Sequence, residues 1–215
     1  MSITIHQTSE FNFQEGPLYF LETFQWIQNS IMGKFRESNK TVCPVAKYSH
    51  FSNSMFIGSL DASHRDRQRF IQEVRALIGL FDELKNYPNQ DPTILSLVMV
   101  ITSLPEDQYI QWIDEVHSLL KPEFMQSFQM LGEFHSNSIV DSARVPGECP
   151  MRSPYPLFVV RAMHEHDHLF IDRSGSIEKR LQELELYRAG MIENNTPRYL
   201  DKVQTRIIEL KDQIN

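Results

Sequence analysis

Cysteine is nearly missing from this sequence: Cys43 and Cys149 are the two thiols in 215 residues. Each precedes a proline, and a lone pair makes no disulfide framework in a chain this long, so reduced thiols in a cytoplasmic protein are expected. Long apolar runs are missing too. No stretch approaches the ~18 consecutive apolar residues of a membrane span, and the first residues are polar and acidic where a signal peptide would carry a basic and then an apolar block. Basic charge is in deficit: 21 Lys and Arg stand against 28 Asp and Glu, for a formal charge of −7. Nucleic-acid binding draws on clustered cations for counterion release, so no phosphate-tracking surface is expected. There is no Gly-rich phosphate loop, no Gly-x-Ser-x-Gly elbow and no His-Glu-x-x-His, which removes common nucleotide, hydrolase and zinc-protease signatures.

What is present is enough apolar residue, 41% of the chain, for one sizeable core with or without a small appendage. Residues 1–16 read as an arm or an edge strand. From Pro17 the apolar positions Leu18, Leu21, Phe24, Ile27, Ile31 and Phe35 recur at three- and four-residue intervals, predicting one helix that stops at Thr41-Val-Cys-Pro44. Lys47 to Asn53 reads as a loop and Ser54 to Leu60 as a short strand. Asp61 to His64 offers turn and cap chemistry for a long amphipathic helix through Phe70, Val74, Leu77, Phe81 and Leu84. Ile94 to Ile101 is nearly all apolar, as a strand buried on both faces would be. Ser103-Leu-Pro-Glu106 matches a capping box, followed by a helix with Tyr109, Ile110, Ile113, Val116 and Leu120 inward. Lys121-Pro122 is expected to break it before a shorter helical piece to about Gln129. A short strand at Leu131 to Phe134 and a longer one from Leu157 to Met163 complete the pattern of an α+β (or α/β) domain over residues 1–172, a mixed sheet with flanking helices. Residues 173–215 read as a C-terminal helical hairpin. Its second helix carries a seam, Leu200, Val203, Ile207, Leu210 and Ile214, that spans only about two heptads. The hairpin is expected to dock on the domain or on a second subunit, with a homodimer as the assembly.

Chemistry-bearing residues concentrate between Leu131 and Ile171. If His164-Glu-His-Asp-His168 continues the preceding strand, alternation puts His164, His166 and His168 on one face, a full ligand set for zinc or iron. The alternative is a solvated strand end, because same-face neighbours on one strand lie roughly 6–7 Å apart and rarely wrap a single metal. His135 follows an apolar strand and opens a loop, where a rigid element presents a side chain at a cavity mouth. It could ligate haem iron, with Arg152 and Arg161 pairing to the propionates, or serve as a hydrogen-bonded histidine beside a turn. Glu106, Asp107, Asp114 and Glu115 read as a solvated helix face.

The order Cys43-Pro44, Lys121-Pro-Glu-Phe124, Met130-Leu-Gly-Glu-Phe-His135 and Arg152-Ser-Pro-Tyr-Pro-Leu-Phe-Val-Val-Arg161 resembles a family of small bacterial proteins of unassigned function. The likeness covers roughly residues 40–172 and leaves out the tail. More distantly the chain is similar to the YqcI/YcgG-type proteins, which include haem-dependent enzymes that N-oxygenate amino-acid side chains. It departs from their pattern at Val45, where Phe is usual, and at Ser136, where Pro is usual. The resemblance implies a b-type haem with His135 as proximal ligand and with Arg152, Ser153 and Arg161 at the cofactor or substrate. The expected function is then a haem-dependent oxygenase of a small amine or amino-acid-derived substrate, with His164, His166 and Asp167 as catalytic residues in proton delivery. Two alternatives stand beside it. One is a non-catalytic ligand- or partner-binding protein assembled through its C-terminal helices. The other is a non-haem metal enzyme using His164, His166 and His168.

Overall fold

The structure is a computed structural model and describes residues 3–35, 38–63, 66–140, 142, 145, 147–172 and 175–214. At its centre lies β3 (Ser96–Thr102), buried along nearly its whole length, as its apolar run predicts. Strand β2 (Met55–Asp61) pairs with it in parallel, and β5 (Leu157–Ala162) pairs on the other side antiparallel. β1 (Ile5–Gln7) and β4 (Gln129–Phe134) are the edges, both antiparallel to their neighbours, so the five strands run β1-β2-β3-β5-β4. The parallel step from β2 to β3 requires a crossover, supplied by helix α3 (Arg67–Leu84). This is an α+β fold, with a mixed sheet, flanking helices and a C-terminal helix pair.

Alternation along the strands divides the core. Phe56, Leu97, Met99, Leu131 and Phe158 face α3 and α4 (Glu115–Gln126), whereas Ile57, Val98, Val100 and Leu157 face α1 (Leu18–Trp26). After β5, the short α5 (His168–Ile171) leads to α6 (Ile177–Glu193) and α7 (Leu200–Ile214). Val203, Ile207 and Leu210 pack with Leu184, Tyr187 and Met191 and with Met125, Met130 and Met163 of the main domain. Much of the α7 seam is therefore covered within its own chain, and the hairpin is docked on the domain.

Several local expectations are corrected. Helix α1 is extended only by a π-turn, Ile27–Ile31, and a new helix, α2 (Pro44–Phe51), occupies the expected loop at Lys47 to Asn53. Pro44 sits in the first turn of α2, after an extended Cys43, and only Ala46 and Ser49 are buried, too few to show a period. Ser103 is no cap: it adopts a left-handed conformation with φ 61°. A 3-10 turn, Glu106–Gln108, and a π-turn, Ile110–Asp114, precede α4. The extra residue of the π-turn shifts the helix phase, burying Ile113 and leaving Ile110 68% exposed. Pro122 lies inside α4 rather than ending it, held by the burial of Leu120, Phe124 and Met125 around it. Cys43 and Cys149 form no disulfide with each other. His64 lies outside the described residues. Asp61 makes the expected turn by accepting from Ser63, but the cap of α3 is Asp66, whose Oδ1 accepts from the Arg69 N–H at 2.8 Å. Asp66→Ala is expected to lower stability by about 1 kcal/mol in urea unfolding, and an unchanged midpoint would show that this cap contributes nothing.

Candidate functional site

Strand β4 carries polar residues onto a buried face. Its alternation sends Gln129, Leu131 and Glu133 toward α3 and α4, and the Gln129 amide donates to the Ile78 carbonyl at 3.2 Å and to Asp82 at 3.0 Å. Glu133 meets His117 of α4, with Nε2 3.1 Å from its Oε2 and 3.0 Å from the Leu131 carbonyl. Both side chains are largely buried. Burial, reinforced by the Asp114 charge, pushes the Glu133 carboxyl up to about 7. Burial and the nearby Lys121 ammonium hold His117 down to about 3. His117 is therefore a neutral imidazole whose Nε2–H donates toward Leu131, and Glu133 keeps or loses its proton near neutrality.

His135 follows β4 with the same parity as Glu133 and is 2% exposed. Its Nε2 lies 2.9 Å from Asp114 Oδ1, at the end of the π-turn, and its ring sits 5.4 Å from that of Tyr109. With Asp114 holding Nε2–H, Nδ1 is left as a bare acceptor, buried without a hydrogen-bond partner. A single π-turn within a helix recurs at functional sites, and here it brings Asp114 to the histidine. Asp114 is thus the orienting partner of His135, while its side chain stays 41% exposed on the helix face.

These groups line a pocket of about 540 Å³, within the range of small-molecule sites. Ile110, Ile139 and Val140 form an exposed apolar rim, with Ile139 84% exposed. Lys121 and Lys179 also line it. Lys121 Nζ is 2.6 Å from Glu183 Oε2 in a buried pair, whereas Lys179 Nζ donates to the Ser118 hydroxyl at 3.1 Å. Lys179 and Glu183 belong to α6, so the hairpin supplies part of the site.

Of the residues expected from the sequence, only His135 lines this pocket. Arg152 is exposed and donates Nε–H to the Ser138 carbonyl at 3.0 Å. Ser153 is buried and donates to the Tyr155 carbonyl at 2.5 Å, a turn contact. Arg161 forms a bidentate pair with Asp167, at 2.6 and 2.8 Å. Asp167, 2% exposed, also accepts from the His164 backbone N–H at 2.7 Å. β5 ends at Ala162, and residues 165–167 form a turn, so His164, His166 and His168 do not share a strand face. His164 is pulled inward, burial and then Arg161 holding it below its ordinary range. His166 and His168 flank Tyr199, with ring centroids at 4.9 and 5.2 Å. Among the described residues, no group of three or more His, Cys, Asp and Glu is placed to hold a metal ion.

A haem would need an open imidazole nitrogen facing a slot and cationic partners for two propionates. Asp114 occupies one nitrogen of His135, Arg152 is turned to the Ser138 carbonyl and Arg161 is committed to Asp167, so neither expected arginine is left for a propionate. The expected residues do not fit the group in this arrangement, and haem rests on the motif resemblance alone.

A family model described as a domain of unknown function, DUF6875, matches residues 21–205. The chain belongs to this family. The DUF6875 match runs across the position near 172 where the sequence suggests a boundary, and continues through α6 into α7. Every pocket residue of this DUF6875 chain, from Glu106 to Lys179, falls inside it. No curated protein and no solved structure matches the chain. In the described residues of this DUF6875 domain, no helix is long and apolar enough to cross a membrane.

Proposed function

We propose that the pocket is an acid–base active site acting on a small polar molecule, with Glu133 and His135 as the proton-transfer pair. The carrying observation is that a carboxyl and an oriented imidazole project from one strand end into one pocket. Residues i and i+2 on an extended chain lie roughly 6–7 Å apart, which leaves room for a substrate atom between them. Glu133, near neutrality, gives or takes a proton at physiological pH without large cost to either form. His135 Nδ1 accepts a proton while Asp114 stabilises the imidazolium that forms. Lys179 sets a positive charge beside a developing oxyanion, and the apolar rim limits water.

The test is site-specific titration of Glu133 by ¹³C NMR, together with a thermal-shift screen of small carboxylates, carbonyl compounds and amines on wild type and His135→Ala. A Glu133 midpoint near 7, displaced by a ligand that His135→Ala binds or turns over poorly, supports the reading. A midpoint in the ordinary carboxylate range near 4.5, as an ion pair with His117 would produce, overturns it.

A further inference from the structure

A second cleft, of about 410 Å³, lies beside the first and shares Glu106 and Tyr109 with it as a common wall. Its floor is the carboxyl end of β3, at Ile101 and Thr102, beside the Pro156 entry to β5. Ser103, left-handed at φ 61°, turns the chain away immediately after the strand and leaves this end uncovered. Beyond the carboxyl ends of parallel strands is where open sheets containing them bind ligands.

The walls are aromatic and fixed. Tyr19 and Tyr155 meet edge to face, with centroids 6.3 Å apart. The Tyr155 hydroxyl donates to Glu22 at 2.6 Å, and the Tyr19 hydroxyl lies 3.4 Å from the Ser59 hydroxyl. Their hydroxyls are thus turned to protein partners and their rings serve as surfaces. Pro154 and Pro156 add rigid apolar faces. Preformed aromatic walls of this kind favour a flat ring at little ordering cost. Among the lining residues the one carboxylate is Glu106, on the wall toward the first pocket, and no cation lines the cleft.

We infer that this cleft is a subsite for an aromatic ring whose side chain carries an ammonium group, the ammonium resting at Glu106, on the wall shared with the Glu133–His135 pocket. The inference rests on the acid–base reading of that pocket and names its substrate class, an arylalkylamine. The ring is held by stacking against tyrosine, the ammonium by the Glu106 charge and the Tyr109 face.

Three probes isolate the parts: phenethylamine, hexylamine without the ring, and 2-phenylethanol without the charge. Each is titrated into the full chain by ¹H–¹⁵N NMR. Phenethylamine is expected to shift Tyr19, Thr102 and Tyr155 and to bind roughly tenfold more tightly than either comparator. Tyr19→Ala is expected to remove the advantage over hexylamine, and Glu106→Gln, an exposed substitution that leaves the fold alone, the advantage over 2-phenylethanol. Equal binding of the three probes, shifts confined to the first pocket, or no saturation by about 10 mM overturns the subsite. The Glu133 titration midpoint, read on the same protein as the probe shifts, separates the two readings. A normal Glu133 midpoint with the probe still in the cleft refutes the acid–base reading and keeps a ring site; a midpoint near 7 with no probe in the cleft does the reverse.

Discussion

Asp167→Ala is expected to lower stability by about 3–5 kcal/mol, the cost of leaving a buried guanidinium without its carboxylate. Asp167 is 3% exposed at its side chain and Arg161 19%, so water offers Arg161 little in exchange. The carboxylate also accepts from the His164 N–H, closing the turn after β5, and Tyr187 of α6 donates to the His164 carbonyl at 2.7 Å. Losing Asp167 therefore loosens the turn on which the hairpin is seated. Urea unfolding of Asp167→Ala and of the double variant Asp167→Leu with Arg161→Met decides the matter. The double variant, with neither charge left unpaired, should recover much of the loss. A single variant within 1 kcal/mol of wild type would mean that Arg161 has another partner or reaches solvent. In the structure Asp167 holds an arginine.

Glu133→Gln should stabilise the protein in alkali and not in acid. A carboxyl raised from 4.5 to about 7 on folding binds a proton in the native state that the unfolded chain releases, so its contribution to stability is lost as pH rises from 4.5 through 7. Above pH 7.5 the variant is expected to gain up to about 3 kcal/mol, and below 4.5 nothing. His117 has the opposite sign. Lowered from 6.5 to about 3, it stays neutral in the native state, so stability is lost as pH falls from 6.5 toward 3. Between 4.5 and 6.5 the two slopes cancel in wild type, whereas in Glu133→Gln only the histidine slope is left, about 1.4 kcal/mol per pH unit. Denaturant midpoints at pH 5, 6 and 8 on both proteins reveal it. Parallel profiles would show that the Glu133 carboxyl is not raised on folding.

Much of the frame was legible in the sequence. β3, α3, the strand from Leu157 and both hairpin helices announce themselves because each has a long, one-period apolar pattern that packing reinforces. Helix α2 does not, since it buries little and depends on Pro44 and on the elements it leans against. The site was legible only at His135. Glu133 shares parity with Leu131 on β4, and His117 and Lys121 lie one turn apart on α4 beside Val116 and Leu120. Polar residues at positions that the period assigns to the core were the available signal. The His-Glu-His-Asp-His cluster is dense along the chain, yet density along the chain says little about convergence in space. Lys179 could not be read at all, being 46 residues from Glu133 and joined to the pocket only by tertiary docking.

That docking couples ligand binding to the order of the tail. Lys179 touches the pocket and Glu183 neutralises Lys121 from the same helix, so the seated hairpin and the complete site are one thermodynamic state. A ligand that engages Lys179 binds the seated form better than the lifted one and must, by linkage, raise the free energy of hairpin opening by the same amount. Occupancy at one end of the molecule is thus readable as slowed amide exchange along α6 and α7.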